Sequence, residues 1–559
     1  MSAINRRVFL TLAGSGLAAC SLTRRDPSRV ETPTAFDCVL HGARIYDGSG
    51  GPPYAADVGL VGDQVRHVGR IDPGQGRTAL NVSGLCLAPG FIDIHTHSDA
   101  DIFRYPDDES RVFQGITTEV TGNCGGSAAP VAPEERVELE RELAEDGISQ
   151  RWHDVASYFQ ALESRRVATN QVLLVGQGTL RRAVAGLANR PLTQSELRRV
   201  EYDLELALEQ GAAGLSSGLE YTPGRYTPTD ELIALSKVLA RHGKLYASHI
   251  RNEESGLMDS VHEALRIGRD SGARVQVSHL KACGRPNWPQ LEPAIQAIET
   301  ARANGLDVYA DAYPYTAYST GLTIFLSDEA REGGAEAMLQ RLRDPQQRAS
   351  IRDSLPARIH SDPGGFEAVV IAATAASDKS VVGLNLAEIA AARGIAPAEA
   401  LLQVLEEGAT SVSFVGHAMD EQQVARVLAH PLVMVASDGY AMAPRGEALQ
   451  RRPHPRSYGT FARVLHKYVR DDGVLDLQTA VHKMSAMPAA QLRLKDRGRI
   501  AVGCKADLVA FDAQRVREEA TFADPHKLAT GFTHVWVNGV RVVADGHSTG
   551  ARPGRALRS

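Results

Sequence analysis

The sequence predicts an α/β fold: a (β/α)8 barrel, with a small β-sandwich formed by both termini and an inserted subdomain between strands seven and eight. Three observations lead there. Eight short apolar, β-branched runs punctuate the middle of the chain, helical patterns lie between most of them, and both flanks alternate like a small sheet. At about 150 residues per domain, 559 residues allow three or four units, or one large barrel with attachments. Hydrophobic content of 43% and charged content of 23% exclude a disordered or collagen-like chain. A net charge of −6 offers no electrostatic reason to expect nucleic acid.

The elements follow in chain order. Asn5-Arg6-Arg7-Val8-Phe9-Leu10 resembles a twin-arginine signal, and Leu17-Ala18-Ala19-Cys20 resembles a lipobox that ends on the residue to be lipidated. The apolar run Val8 to Cys20 is too short to span a bilayer as a mature helix. Residues 1–20 are therefore expected to be an export signal and 21–35 a tether. The protein would then sit in the periplasm or envelope as a lipoprotein, touching membrane only through its N-terminal lipid. The six cysteines (20, 38, 86, 124, 283 and 504) show no pairwise spacing and no disulfide framework.

Residues 36–88 and 496–559 have the alternation and turns of a sheet, as in Val58-Gly59-Leu60 and Val535-Trp536-Val537. Two such pieces at opposite ends of a barrel most economically form one sandwich. The barrel, 89–495, is expected to use strands at Phe91–His95, Thr117–Thr121, Gln171–Val175, Ala213–Ser216, Lys244–Ser248, Arg274–Ser278, Asp307–Asp311 and Val433–Ser437. Amphipathic helices at Thr193–Gln210, Thr229–His242, Ser255–Ser271 and Gln290–Asn304 fit the TIM-barrel alternation. More than one crossover helix is needed between Pro314 and Pro431, so a subdomain is inserted at about 320–410, with Arg341–Arg358 as its solvated helix.

In such a barrel, chemistry resides where strands run into the following loops. The first strand ends Asp93-Ile94-His95-Thr96-His97, and residues two apart in an extended segment point the same way, so two imidazoles can face one ion. The second runs into Gly122-Asn123-Cys124-Gly125, where glycines permit a bend that turns a thiolate inward. The fifth reaches Ser248-His249, the sixth Ser278-His279 and the eighth Ser437-Asp438. A single strand-end histidine is ordinarily a hydrogen-bonding residue, as His41, His153, His360, His430, His526 and His547 are expected to be. Four imidazoles, a thiolate and a carboxylate at one barrel mouth suit Zn2+ better than Mg2+ or Ca2+.

On these segments, together with Ala88-Pro89-Gly90-Phe91-Ile92-Asp93, Arg251-Asn252-Glu253, Leu280-Lys281, His454-Pro455-Arg456 and Gly503-Cys504-Lys505-Ala506-Asp507, the chain resembles the amidohydrolase superfamily. Within it, Cys124 in place of a bridging carboxylated lysine resembles the N-acyl-D-amino-acid deacylases (D-aminoacylases). The resemblance spans about residues 36 to 545. It implies a tight zinc on Cys124, His249 and His279, and a second, weaker position lined by His95, His97 and Asp438. A metal-bound hydroxide would cleave the amide of an N-acyl-D-amino acid, with Asp438 as general base and then acid. Lys281, Tyr313, Ser319 and Arg456 would bind the substrate carboxylate, with Arg445, Arg451 and Arg452 as rivals of Arg456. Arg251, Asn252 and Glu253 would support the site. The small-molecule substrate is the one partner expected besides the lipid anchor. A D-dipeptidase or a hydantoinase-like cyclic amidase on the same site is the nearest alternative, and a non-enzymatic binding lipoprotein is a more distant one.

Overall fold

The computed structural model describes residues 35–359 and 365–559; the predicted signal with Cys20, the tether up to residue 34, and His360 lie outside them. Eight parallel strands form the barrel wall: Phe91–Asp93, Ile116–Thr121, Asn170–Gly176, Gly214–Gly218, Leu245–His249, Arg274–Val277, Val308–Ala312 and Val433–Val435, in that order around the sheet. These segments are buried on both faces, which is why they read as continuous apolar runs. The last strand meets the first through single backbone bonds. Asp438 N–H donates to His95 O and His97 N–H to Gly439 O, both at 2.8 Å. Ile92, Val120, Leu174, Leu245 and Met434 share a core with Met487 and Leu492, so the lower barrel is filled and the reactive end lies at the strand C-termini.

The crossover helices have local causes. Thr193 accepts from Glu196 N–H while the Glu196 carboxylate accepts from Thr193 N–H, a reciprocal cap that starts Gln194–Glu209. Thr229–His242 and Leu257–Ser271 both stop at a left-handed glycine, Gly243 and Gly272. Between strands seven and eight stands an antiparallel three-stranded sheet, ordered Ala317–Gly321, Val412–His417, Val369–Thr374. It has its own core, including Leu322, Leu342, Leu355, Leu401 and Phe414. The expected single solvated helix over Arg341–Arg358 is corrected to two helices, Gly334–Arg343 and Pro345–Ile359. Pro345 cannot donate a helical hydrogen bond and so begins a helix, and the Asp344 carboxylate caps Gln346 and Gln347 N–H. Leu342, Ile351 and Leu355 are buried, which charge content alone concealed.

Both ends of the described chain share one nine-stranded sheet, in which Cys86–Pro89 lies between Phe36–Ile45 and Leu508–Phe511. Leu40, Ile45, Leu60, Leu87, Leu508 and Trp536 form the common core of this sandwich. The final residues then run beneath the barrel, where Gln171 N–H donates to Arg555 O at 2.9 Å and Leu557 N–H to Gln171 O at 2.8 Å. At that junction buried Asp507 accepts from Asn538 N–H at 2.6 Å and from the Asn170 amide at 3.2 Å, and pairs with Arg497. Removing one partner of a buried pair strands the other charge. Asp507→Ala is therefore expected to cost about 3 kcal/mol, seen as a lower urea midpoint.

Candidate metal centre

The loop after the second strand places Cys124 by force of local geometry. Cys124 itself has φ 53°, flanked by Gly122 at 75° and Gly125 at 78°. A Cβ at Gly122 would lie 1.8 Å from Leu174 O, so only glycine allows this turn against the neighbouring strand. His279 and Asp438 also have positive φ, 35° and 52°. Left-handed backbone at non-glycine residues costs about 1–3 kcal/mol each and collects at functional sites. Here it turns three strand-end side chains into one space.

That space contains all six predicted donors. His95, His97, Cys124 and Asp438 bring ligand atoms within 4.8 Å of one another, and Cys124, His249 and His279 do the same. Cys124 belongs to both groups. Its Sγ lies 3.3 Å from His95 Nε2 and 3.6 Å from His279 Nε2, while His249 Nδ1 is 2.9 Å from His279 Nε2. Asp438 Oδ1 is 2.9 Å from His97 Nε2 and 3.4 Å from His95 Nε2. Carboxylates back three of the rings: Asp311 faces His95 Nδ1 at 3.3 Å, Glu220 faces His249 Nε2 at 3.3 Å, and Glu253 faces His279 Nδ1 at 2.8 Å. Such outer partners fix ring orientation and tautomer.

Electrostatics calls for a cation here. Burial alone would push the Cys124 thiol up, yet His95, His249 and His279 hold it well below its usual range. Burial also opposes charge on the rings, but Asp438 and Cys124 push His97 up to about 9, and Cys124 and Glu220 push His249 up to about 10. A half-buried thiolate among imidazoles and carboxylates is the donor chemistry of zinc, so the residues fit the predicted ion.

The predicted carboxylate binders lie beside the donors in different circumstances. Buried Arg456 places Nη1 2.8 Å from Asp438 Oδ2, donates from Nη2 to Ser319 O at 3.2 Å, and sits 5.0 Å from the Tyr313 ring centre. Ser319 therefore meets it through its carbonyl. The Tyr313 hydroxyl is buried with no protein partner. Lys281 Nζ donates to Glu253 at 2.7 Å and so is already engaged. Among the rivals, Arg445 is drawn away by Glu109 and Asp107, and exposed Arg451 lines the outer cavity. Arg251 pairs with Glu263, and Asn252 caps Glu254 and Gly256 N–H.

Sequence reading missed several contributors. Asp311 is the penultimate residue of the seventh strand, and the strand-end rule that selected Asp438 also points to it. His454 accepts from Arg456 N–H at 3.0 Å while its Nε2 meets Ala317 O at 2.9 Å, which fixes the Arg456 backbone. Arg111, fully buried, joins Asp93 at 3.4 Å, Glu119 at 3.1 Å and Ser437 Oγ at 2.9 Å beneath the donors. No pattern around Arg111 signals this.

A profile of the amidohydrolase family matches residues 79–543. A D-aminoacylase of Alcaligenes xylosoxydans xylosoxydans is 36% identical over 93% of this chain and 97% of the relative. An N-acyl-D-glutamate deacylase of the same organism is 37% identical over 94% of this chain and 96% of the relative. The crystal structure of N-acyl-D-glutamate deacylase from Bordetella bronchiseptica, complexed with zinc and a phosphonate inhibitor that mimics the tetrahedral intermediate, superposes with a TM-score of 0.79. It is 34% identical and covers 94% of this chain and 100% of that one.

The shared sulfur separates the two donor groups experimentally. Cys124→Ala is expected to abolish tight zinc retention, whereas His97→Asn removes only weaker binding, as measured by metal content after dialysis and by zinc titration.

Proposed function

This chain belongs to the amidohydrolase family, and on that premise we propose that it hydrolyses the amide bond of N-acyl-D-amino acids, releasing a carboxylate and a free D-amino acid. The enzyme is zinc-dependent. The observation that carries the reading is Arg456, a buried guanidinium facing the same cavity as the metal donors. Such a fork matches a free carboxylate adjacent to the scissile amide, which a cyclic amide lacks.

Zinc supplies a Lewis acid that polarises the acyl carbonyl and makes water a competent nucleophile near neutral pH. Asp438 handles the proton. Burial would raise its pKa, but Arg456, then His95 and His97, hold it well below the usual carboxylate range, so it is ionised at neutral pH. It can accept a proton from the attacking water and return it to the departing nitrogen. Arg456 bridges this base and the substrate carboxylate, and the Tyr313 hydroxyl, lacking a protein partner, is free to donate to the same anion. Lys281 reaches it only through movement from Glu253, and its nearer effect is to hold Glu253 against His279.

The proposal extends to the cell envelope. Arg6-Arg7 and the lipobox ending at Cys20 support export by a twin-arginine route and lipidation at Cys20. Export of a folded chain would let Cys124 acquire its metal before exposure to oxidants.

Three measurements test these assignments. Zinc-loaded enzyme is expected to hydrolyse N-acetyl-D- but not N-acetyl-L-amino acids. Asp438→Asn should lower kcat about a hundredfold or more, and Arg456→Ala should raise KM. An unchanged KM for Arg456→Ala overturns the carboxylate assignment. Membrane fractionation should find the wild-type chain lipidated and Cys20→Ala unlipidated, and a cytosolic chain with an intact N-terminus refutes export.

A further inference from the structure

We propose that the substrate is lopsided, with a compact, uncharged D-amino acid at the amine end and a long acyl group at the other. This rests on the deacylase reading above and asks which members of that substrate class fit. Two spaces of unequal size meet at the donors and share His279, Asp438 and Ser319 as wall. On the inner side, between His249, His279 and Tyr313, the cavity measures about 30 Å3, room for a few water molecules at most. On the outer side a cavity of about 640 Å3 opens over Cys124 and Asp438. That is a volume suited to a drug-sized ligand, and an acetyl group leaves most of it unfilled.

The carboxylate-binding groups set the substrate's direction. Lys281, Tyr313 and Ser319 line the inner cavity, and Arg456 approaches from the outer side across the Tyr313 ring. A carboxylate held there keeps the amine end against the small space and sends the acyl chain outward. The outer wall offers apolar surface from separate elements: Tyr105 after the first strand, Pro223 after the fourth, Ala373 in the inserted sheet, and Met442, Ala448 and Pro453 after the eighth. Exposed Arg182 and Arg451 lie farther out, at its rim.

Charge narrows the amine end as well. Glu220, Glu253, Glu254 and Asp438 line the inner cavity, and Lys281 is the one lysine or arginine among the described residues that does. Glu253 already neutralises it at 2.7 Å. A second substrate carboxylate, as in a D-glutamate or D-aspartate derivative, would meet acidic groups that already occupy the imidazole and ammonium neighbours, His249, His279 and Lys281.

The test compares kcat/KM of the zinc-loaded full chain for N-acetyl- and N-octanoyl-D-alanine, N-acetyl-D-phenylalanine and N-acetyl-D-glutamate. Each fully buried methylene contributes about fourfold, so octanoyl-D-alanine should exceed acetyl-D-alanine by about tenfold or more. Acetyl-D-alanine should exceed the phenylalanine and glutamate derivatives by about tenfold. Ala373→Trp, which narrows the outer cavity, should lower the octanoyl-to-acetyl ratio severalfold. The same order of preference is expected in calorimetric binding to Asp438→Asn, independent of turnover. Equal use of both acyl lengths, or preference for D-glutamate or D-phenylalanine, overturns the lopsided substrate while leaving the deacylase reading intact. Failure to hydrolyse any of the D-derivatives overturns that reading itself.

Discussion

The active end of the molecule depends on the seam where the eighth barrel strand meets the first. His95 and His97 come from one side of it and Asp438 from the other, and backbone bonds from Asp438 to His95 and from His97 to Gly439 hold them in register. Ser437 N–H also donates to Asp93 at 2.9 Å. Arg111 ties Asp93, Glu119 and Ser437 together directly below. A charge cluster buried that deeply persists only when its members satisfy one another. The base, two imidazoles and the bent backbone at Asp438 therefore stand or fall together with closure of the wall.

Around that seam the site gathers anions behind imidazoles. Asp311, Glu220 and Glu253 each face the far nitrogen of a ring whose near side approaches the metal space, and Cys124 supplies negative charge from within. Lys281 and Arg456 limit the excess by pairing with Glu253 and Asp438. Arg456 is thereby both a neighbour of the base and a candidate grip on substrate, so binding and proton transfer share one ion pair.

Much of this was legible because barrel strands are buried on both faces and end abruptly in polar residues. The eight runs stand out for that reason, and His95, His97, Cys124, His249, His279 and Asp438 each follow an apolar stretch. Asp311 sits at a strand end as well, but its carboxylate backs the His95 ring from behind, a role its sequence position does not distinguish from a core carboxylate. Arg111 and Glu220 carried no comparable signal, and His454 stood only as a neighbour of Arg456 in the segment His454-Pro455-Arg456. Their positions depend on which loops fold over which strand ends, a tertiary fact without local periodicity. The insert was visible as excess chain, but its charged stretch concealed a helix break at Asp344-Pro345 and a buried apolar face. Strand order in the sandwich was equally hidden, since alternation shows a sheet face but not its neighbours.

The sandwich inserts Leu508–Phe511 beside Cys86–Pro89, and the closing residues then pass under Gln171. An early strand thus keeps an open hydrogen-bonding edge until a partner from far later in the chain has been made. Until then that edge is an adhesive margin open to wrong pairing. Once the late strand docks, the two flanks of the barrel clasp each other, so the sheet begun by residues 36–89 is completed only after the barrel between them has been made.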